Sequence, residues 1–323
     1  MKFLILKTTN PYKNLAVEEY LFSQTSDDVF MLWQNEPTVV IGKNQNAFAE
    51  VNLDFAREKG IHIARRITGG GAVYHDLGNL NYTFISSREK AEIDFGFYTQ
   101  PIIKSLKKWG IEAKLSGRND LCIGEQKFSG NAEHTKDNRT LHHGTLLFDT
   151  DFSVLSKVLT VDEEKLRSKA IKSTRSRVTN LKEHLPFDIS VSKFIEMISE
   201  SLVLDFSPEI ITPPENEIIN AIEKRNASQE YLFPKSDFLS SYTIIRKKRF
   251  DFGSVSISLD MKNEYIKKIR ISGDFFEVRD IRELEEQFIG KSIYDIEKVL
   301  KNISVSNYIF RMKNKEFIEL IKD

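Results

Sequence analysis

Short apolar runs alternate with helical patterns along the first three-quarters of the chain. Runs with the length of buried strands lie at residues 3–6, 29–33, 38–41, 80–86, 120–123 and 141–148. Apolar positions spaced for one face of a helix lie at 14–24, 53–59, 97–109, 152–159 and 191–206. We expect Asn14 to cap the first of these helices. The pattern predicts a large domain that mixes strands and helices.

The pattern changes near residue 242. Strand-like runs at 244–252, 254–259 and 265–271 are followed by helical patterns at 279–288, 293–300 and 307–321. We therefore expect a second, small α+β domain. The predicted boundary assigns residues 1–245 to the first domain and residues 246–323 to the second.

The composition narrows the possible function classes. Lys+Arg and Asp+Glu both number 47, so the formal net charge is zero, whereas a general nucleic-acid binder usually carries a basic surplus. The chain contains one cysteine, Cys122, which suits a reducing compartment. The apolar run at 3–6 is too short for the core of a signal peptide, and no run has the length of a membrane span. We expect a cytoplasmic protein that binds neither nucleic acid nor membranes.

A glycine-rich segment at 64–76 carries a strong chemical signal. Gly69, Gly70 and Gly71 follow the adjacent arginines Arg65 and Arg66. Glycine lets the backbone approach a ligand closely, and successive N–H groups in such a turn can form an anion-binding nest. Arginine adds a planar fork suited to phosphate or carboxylate. A glycine triplet alone nevertheless favours the simpler alternative, a hairpin turn with solvated arginines.

Other polar side chains suggest chemistry more weakly. Lys127 follows a tight turn and could hold an oxyanion, although a surface lysine is the simpler interpretation. Asn119 and Asp120 could bind Mg²⁺ or contact a substrate amine, and a simple turn is the alternative. His142 and His143 are adjacent, so on a strand they would face opposite sides, which argues against a zinc site.

A basic segment and the single cysteine complete the set. The segment 168–180 contains Arg175 and Arg177 and resembles a phosphate-clamping loop, with a solvated loop as the alternative. Cys122 lies inside an apolar strand run without a neighbouring histidine in the sequence. A buried structural thiol is therefore favoured over a nucleophile.

Several motifs follow one another in order along nearly the whole chain. They are NLAVEE from Asn14, VVIG from Val39, RR-x-x-GGGAVYHD-x-GN from Arg65, SGRND from Ser116, KFSG from Lys127, HGTLL from His143 and SRVTNL from Ser176. The set resembles the motifs of the lipoate–protein ligase family, and it is far more specific than any one of its members.

The resemblance implies a fold and a reaction. The implied fold is α+β, with a mixed β-sheet and flanking helices of the type found in biotin ligases and class II synthetases, plus a small accessory C-terminal domain. In the implied reaction, lipoate and Mg-ATP form lipoyl-adenylate, and the lipoyl group then passes to a lysine of a lipoyl carrier domain. The implied carriers are acyltransferase subunits of 2-oxo acid dehydrogenases or the glycine-cleavage carrier protein.

The resemblance also assigns roles to residues. Lys127 would be catalytic and would contact both the lipoate carboxyl group and the α-phosphate. The implied ATP-binding residues are Arg66, Gly71, Ala72, Val73, Tyr74, Lys127, Arg175 and Arg177. The implied lipoate-binding residues are Thr68, Gly69, Gly70, Lys127 and His143, and Asp120 is a candidate ligand of Mg²⁺.

Two alternatives remain compatible with the same fold. A lipoyl or octanoyl acyltransferase would need a catalytic thiol, for which the sequence offers only Cys122. A non-catalytic lipoate-binding protein would have lost the ATP chemistry, and the presence of Lys127 and Arg66 argues against that loss.

Overall fold

A computed structural model describes residues 1–87, 93–160 and 178–322. Within these ranges the strands are β1 Lys2–Ile5, β2 Val29–Trp33, β3 Thr38–Ile41, β4 His62–Arg65, β5 Val73–His75, β6 Asn79–Ser87, β7 Ala113–Ser116, β8 Asp120–Ile123, β9 Gln126–Lys136, β10 Arg139–Leu147, β11 Glu209–Ile210, β12 Ile244–Phe250, β13 Gly253–Lys262 and β14 Tyr265–Gly273. The α-helices are α1 Pro11–Gln24, α2 Ala47–Glu50, α3 Leu53–Glu58, α4 Phe95–Lys107, α5 Phe152–Val158, α6 Val191–Phe206, α7 Glu217–Asn226, α8 Gln229–Leu232, α9 Ile281–Phe288, α10 Ile296–Val299 and α11 Asn314–Lys322. No helix in these ranges is both long enough and apolar enough to span a bilayer.

The chain divides into two compact units that do not follow the sequence order. The first unit comprises Met1–Val40, Val51–Ala64 and Val73–Ser228. The second comprises Ile41–Glu50, Arg65–Ala72 and Gln229–Asp323. The glycine triplet therefore belongs to the same unit as the last quarter of the chain.

An eight-stranded mixed sheet forms the centre of the first unit, in the order β11-β1-β2-β6-β10-β9-β8-β7. β1 runs parallel to both β2 and β11, and the remaining neighbours are antiparallel. Every residue of β2 is buried, which explains its continuous apolar sequence. The predicted α+β class, with a mixed sheet flanked by helices, is confirmed.

Different helices cover the two faces of this sheet. The face that carries α4 and α6 is the apolar core, in which Phe148 of the segment after β10 stacks on Phe194 of α6 at 4.3 Å between ring centroids. On the other face, α1 contacts β6 and β10. The face below α1 carries polar side chains, such as Thr83 and His143, among apolar ones, and it holds the candidate catalytic residues described below.

The start of α1 differs from the prediction. Asn10, and not Asn14, is the cap, because its side chain accepts hydrogen bonds from the N–H groups of Tyr12 and Lys13 at 2.9 and 3.2 Å. Pro11 occupies the first helical position, where its missing N–H has no cost. Asn14 is buried inside the helix, where its side chain donates a hydrogen bond to Asn35.

The C-terminal part of the second unit packs helices on a small sheet. β12, β13 and β14 form an antiparallel meander, and α9 and α11 contribute to its apolar core. The predicted helix at 307–321 starts at Asn314. The predicted start at residue 307 was wrong. Arg311 adopts a left-handed conformation, with φ 68°, which interrupts a right-handed helix.

We predict that Gly144→Ala will destabilise the first unit. A Cβ at Gly144 would overlap Asn131 Oδ1 and would lie 2.7 Å from the ring of Tyr82, and both side chains are buried. Overpacking of this kind costs about 1–3 kcal/mol. The free energy of unfolding, measured by urea denaturation, should fall by that amount.

Gly96→Ala is the matched control for this prediction. Gly96 lies in the first turn of α4, and the nearest atom to its added Cβ is 3.4 Å away. Alanine favours a helix over glycine by about 1 kcal/mol, so this variant should be neutral or slightly stabilised. Equal effects of the two substitutions would contradict the packing at Gly144.

Candidate active site

Lys127 lies at the start of β9 beside a β-bulge. Leu121 of β8 pairs with Ser129, whereas the next residue, Cys122, pairs with Lys127, so β9 contains one extra residue here. The extra residue reverses the face to which the lysine points. Accordingly, a Cβ on Gly130 would lie 2.9 Å from Lys127 Nζ. The lysine side chain therefore crosses the sheet surface above Gly130, where the missing side chain leaves room for it.

The ammonium of Lys127 has a carboxylate neighbour. Lys127 Nζ lies 2.7 Å from Asp120 Oδ1, and both side chains retain 34% of their exposure. The main chain of the lysine is also fixed, because Thr179 N–H donates to its carbonyl at 2.9 Å. The lysine is thus held in one direction while its charged end stays accessible to an anionic ligand.

His143 lies on the same face of the sheet as Lys127. It pairs with Ala132 of β9, which is two residues from Gly130, and side chains two apart on a strand share a face. His143 Nδ1 lies 2.9 Å from Oε1 of Glu18, a buried carboxylate of α1. The carboxylate fixes the orientation of the imidazole ring.

A chain of hydrogen bonds supports Glu18 from the sheet. Thr83 Oγ1 donates to Glu18 Oε1 at 2.6 Å, and Trp33 Nε1 donates to Thr83 Oγ1 at 2.9 Å. No role in the site was predicted for these three residues from the sequence. The spacing between residues 18 and 143 gives no signal of their contact, although a glutamate on the mostly apolar buried face of α1 is a feature that could have drawn attention to Glu18.

His142 points to the opposite face, as predicted for adjacent strand residues. Its Nδ1 lies 2.9 Å from Glu133 Oε1, and its Nε2 lies 3.2 Å from Asn131 Oδ1. The ring stacks on Tyr98 of α4 with centroids 5.0 Å apart. Burial lowers the pKa of His142, and the neighbouring Glu133 opposes that shift. His142 is therefore part of the packed core.

Buried asparagines converge on His75 at the end of β5. Asn35 Nδ2 lies 3.1 Å and Asn81 Nδ2 lies 3.5 Å from His75 Nδ1. Asn14 donates to Asn35 Oδ1, and Asn79 donates to Asn81 Oδ1, both at 2.9 Å. The amide nitrogens of Asn35 and Asn81 both face Nδ1 of His75, and they hold the ring in place. The network gives Asn14 and Asn79 a role that the sequence motifs did not reveal.

The glycine loop, residues 65–72, is closely packed in the second unit. Gly70 has φ 90°, and its N–H donates to the carbonyl of Phe275 at 3.0 Å. A Cβ on Gly69 would lie 2.5 Å from the same carbonyl oxygen. Two of the three glycines are therefore needed where the loop backbone meets the backbone at Phe275.

Arg66 folds back onto the glycine loop. Its Nε donates to Thr68 Oγ1 at 2.9 Å, and its Nη2 donates to the carbonyls of Gly69 and Gly71 at 2.7 and 2.9 Å. The structure thus brings together Arg66, Thr68 and the three glycines, all of which the family resemblance had linked to substrate binding.

Arg65 has a different task from its neighbour. Its guanidinium is only 5% exposed, and it lies 3.3 Å from Asp237 Oδ2. It also donates to the main-chain carbonyls of Gly42, Lys43, Gln45, Tyr231 and Leu232 at 2.6–3.3 Å. The expectation that both arginines provide a fork for an anion is therefore wrong for Arg65, whose donors are directed to protein oxygens.

The strand after the glycine loop carries the next predicted ATP-binding residues. Ala72 precedes β5, and β5 pairs antiparallel with β3 through Val73 and Tyr74. Burial raises the pKa of Tyr74 to about 12, and Asp76 adds to the shift. Tyr74 is therefore a neutral phenol at physiological pH. The loop arginines Arg175 and Arg177 lie outside the described residues.

The carboxylates and the thiol near Lys127 bear on metal and thiol chemistry. Across residues 1–87, 93–160 and 178–322, no three His, Cys, Asp or Glu side chains are arranged as a metal site. Asp120 offers a single, half-exposed carboxylate. A single carboxylate is compatible with Mg²⁺ that is bound mainly through nucleotide phosphates. Cys122 is buried, and burial raises the pKa of its thiol, as expected for a structural cysteine.

Two protein-family models match most of this chain. The Lipoyl protein ligase A/B catalytic domain matches residues 10–203, and the Bacterial lipoate protein ligase C-terminus matches residues 240–321. The lipoate-protein ligase LplJ of Bacillus subtilis is 36% identical over 97% of this chain and 97% of its own length. The chain therefore belongs to the lipoate–protein ligase family, and the family predicted from the motifs is confirmed.

Solved structures agree with this assignment. The structure of P. falciparum LipL1 in complex with lipoate matches 99% of this chain and 97% of its own, with 26% identity and a TM-score of 0.81. A lipoate-protein ligase A bound with ATP matches 72% of this chain and 98% of its own, with 27% identity and a TM-score of 0.62. The bipartite lipoate protein ligase of Thermoplasma acidophilum, described with its E2 lipoyl domain, matches 72% of this chain and 95% of its own, with 30% identity and a TM-score of 0.63.

We predict that His142 makes stability depend on pH. Its folded-state pKa is lowered below the ordinary value of 6.5. As the pH falls below about 6.5, the unfolded chain therefore binds a proton that the folded chain resists, and stability is lost. Above pH 6.5, the contribution of His142 to the free energy of unfolding should be constant. Below pH 6.5, the free energy of unfolding should fall by up to about 1.4 kcal/mol for each unit by which the pH is lowered.

The test compares urea denaturation at pH 7.5, 6.5 and 5.5 for the wild type and for His142→Gln. The substitution should reduce the slope below pH 6.5, even if it lowers stability at every pH. His62→Gln is the control, because His62 is a surface histidine with a side chain 39% exposed. If His142→Gln retained the full wild-type slope, another group would have to account for it.

Proposed function

We propose that this chain attaches lipoate to proteins in two steps, through lipoyl-adenylate formed from lipoate and Mg-ATP. The observation that carries the proposal is the position of the Lys127 ammonium. It lies above Gly130, and its Nζ is 2.7 Å from Asp120 Oδ1. A fixed, accessible cation is what a reaction between two anions requires. Family membership supports both the substrates and the reaction type.

In the first step, an oxygen of the lipoate carboxylate attacks the α-phosphorus of ATP. The bond between the α-phosphorus and the bridging oxygen breaks, and pyrophosphate leaves. Negative charge accumulates around the α-phosphorus, so catalysis depends on positioning and on fixed donors more than on an enzyme nucleophile. We assign Lys127 to this role, with its ammonium in contact with both the carboxyl group and the α-phosphate.

We assign the nucleotide to the glycine loop and the following strand. Arg66 would move from its loop carbonyls to the phosphates, which offer charge-assisted hydrogen bonds in place of neutral ones. The proposed main-chain contacts come from Gly71, Ala72, Val73 and Tyr74. Arg175 and Arg177 remain proposed ATP ligands, and their support is the family motif alone. In the Mg-ATP substrate, Asp120 would supply a carboxylate oxygen to the metal.

We assign the lipoyl chain to the face of the sheet that bears Lys127 and His143. The buried bond of Glu18 to His143 supports this assignment, since it keeps the ring orientation fixed against the sheet. The proposed contacts to lipoate also include Thr68, Gly69 and Gly70 of the glycine loop.

In the second step, the amine of an acceptor lysine attacks the acyl carbonyl of lipoyl-adenylate. The bond from the carbonyl carbon to the phosphate oxygen breaks, an amide forms and AMP leaves. The proposed acceptors are lipoyl domains, either of 2-oxo acid dehydrogenase acyltransferase subunits or of the glycine-cleavage carrier protein. The Thermoplasma ligase described with its E2 lipoyl domain supports this class of partner.

Two further assignments accompany this function. We propose a functional boundary at residue 245, with a catalytic part at 1–245 and an accessory part at 246–323. The two family matches, at 10–203 and 240–321, support a division in this region. A cytoplasmic location is also proposed, and the single cysteine supports it.

An ATP–pyrophosphate exchange assay tests the function directly. We predict that exchange in the wild type requires lipoate and that biotin does not replace it. Lys127→Ala should lower the exchange rate by about 100-fold or more, which is the typical cost of removing one donor to a developing oxyanion. Lys136→Ala, at the other end of β9, is the matched control and should keep wild-type exchange. Normal exchange by a folded Lys127→Ala variant would refute the role of Lys127.

Gly130→Ala provides a second variant, which keeps the ammonium of Lys127 but changes its position. Its Cβ would lie 2.9 Å from Lys127 Nζ and 3.2 Å from Cε, so the flexible end of the lysine must shift while the backbone need not. A displacement of about 1 Å can cost up to 100-fold in rate. The variant should therefore fold normally and lose exchange, whereas unchanged exchange would contradict the proposed position of the ammonium.

We predict that Cys122→Ser will retain lipoate-dependent exchange and transfer to the acceptor domain. Adenylate chemistry uses no enzyme thiol, and this thiol is buried with a raised pKa. Burial of a hydroxyl in place of the thiol should lower stability modestly. Loss of acyl transfer in a folded variant, together with a thioester trapped on Cys122 of the wild type, would favour the acyltransferase alternative.

A further inference from the structure

One buried guanidinium joins two distant parts of the second unit. The Arg65 guanidinium donates to the carbonyls of Gly42, Lys43 and Gln45 on one side. On the other side it lies 2.7 Å from the carbonyl of Leu232 and 3.3 Å from Asp237 Oδ2, 172 residues along the chain. Arg65 therefore ties the segment 41–50 to the segment that precedes the C-terminal sheet.

The segment 41–50 in turn holds the glycine loop. Lys43 N–H donates to the Thr68 carbonyl at 2.8 Å, and Arg66 N–H donates to the Ile41 carbonyl at 3.1 Å. A Cβ on Gly42 would overlap the carbonyl of Gly70, so the two backbones are in close contact. A change in the position of residues 42–45 would consequently displace the loop that carries Arg66.

Asp237 is the charged end of this connection. It is 2% exposed, and its second oxygen, Oδ1, lies 3.4 Å from Arg270 Nη2 of β14. Its main-chain carbonyl accepts a hydrogen bond from Asn46 Nδ2 at 2.8 Å. The carboxylate thus stands between two guanidinium groups, while the main chain of Asp237 is bonded to the segment 41–50. The charge of the carboxylate compensates a cation, Arg65, that has little access to water.

We propose that Asp237, acting through Arg65, is a positioning residue for the glycine loop and thereby determines the affinity for ATP. The proposal rests on the function proposed above, because it assumes that the glycine loop binds the nucleotide. Asp237 itself bonds protein groups and takes no part in bond making. Its effect reaches the nucleotide because loss of the carboxylate leaves Arg65 buried with only neutral acceptors, so that the guanidinium and the carbonyls of residues 42–45 relax together.

The test uses Asp237→Asn, which keeps the size of the side chain and removes its charge. We expect the KM for ATP in the exchange assay to rise about tenfold or more, while the KM for lipoate stays within twofold of the wild type. Hydrogen–deuterium exchange should increase in peptides covering 41–50 and 65–72 and should be unchanged in β10, residues 139–147. An unchanged KM for ATP in the folded variant would overturn the proposal.

Glu285→Gln is the matched control. Glu285 is a second buried carboxylate beside Arg270, at 3.6 Å, and it accepts a hydrogen bond from Ile271 N–H at 2.6 Å. Within the described residues, Glu285 makes no hydrogen bond or ion pair with residues 41–50 or 65–72. We expect the Glu285→Gln variant to have a lower free energy of unfolding and the KM for ATP of the wild type. An equal rise in the KM for ATP would make the effect a general consequence of losing a buried charge, and the proposal would fail.

A second variant covers the case in which Asp237→Asn does not fold. Asp237→Glu keeps the charge but moves the carboxylate by one methylene group, and we expect a smaller rise in the KM for ATP, of about threefold. An unchanged KM in Asp237→Glu, with Asp237→Asn unfolded, would overturn the proposal. If the wild type lacked lipoate-dependent exchange, the proposed function would fail, and titration of ATP against the same variants would still decide the role of Asp237.

Discussion

Successive residues of a strand point to opposite faces of the sheet, and the candidate site depends on this constraint. In β10, His143 faces the buried carboxylate of Glu18, while His142 packs against Tyr98 in the core. Lys127 joins the His143 face because β9 contains one extra residue beside it. Without that bulge the ammonium would point into the apolar side of the sheet, where an unpaired charge is very unfavourable.

Much of the framework could be predicted from the sequence because its signals are local. Continuous apolar runs gave β2 and β8 with the correct bounds, and the alternating faces of His142 and His143 follow from their adjacency. The family emerged from motif order, which depends on residue identity and not on contacts. Lys127 could be selected by its motif, but its direction could not, because a bulge depends on how the neighbouring strand pairs.

Contacts across long sequence separations could not be predicted. Arg65 and Arg66 are adjacent and chemically identical, and only the fold directs one to the oxygens of Leu232 and Asp237 and the other to its own loop. The choice between Asn10 and Asn14 as the cap is equally a matter of context, because both residues are good caps in isolation. Tertiary structure selects between options that the local sequence leaves equal in free energy.

The connection from Arg65 to Asp237 also has a consequence for synthesis on the ribosome. At about 5–20 residues per second, translation of the 172 residues between them takes roughly 10–35 s. During that interval the nascent Arg65 lacks both its carboxylate partner and two of its carbonyl acceptors, those of Tyr231 and Leu232. The glycine loop is made early, yet it acquires all the surroundings described here only after residue 275 has emerged, because Gly70 N–H donates to the Phe275 carbonyl. A chain interrupted before that point would contain the sequence of the glycine loop without the contacts that shape it.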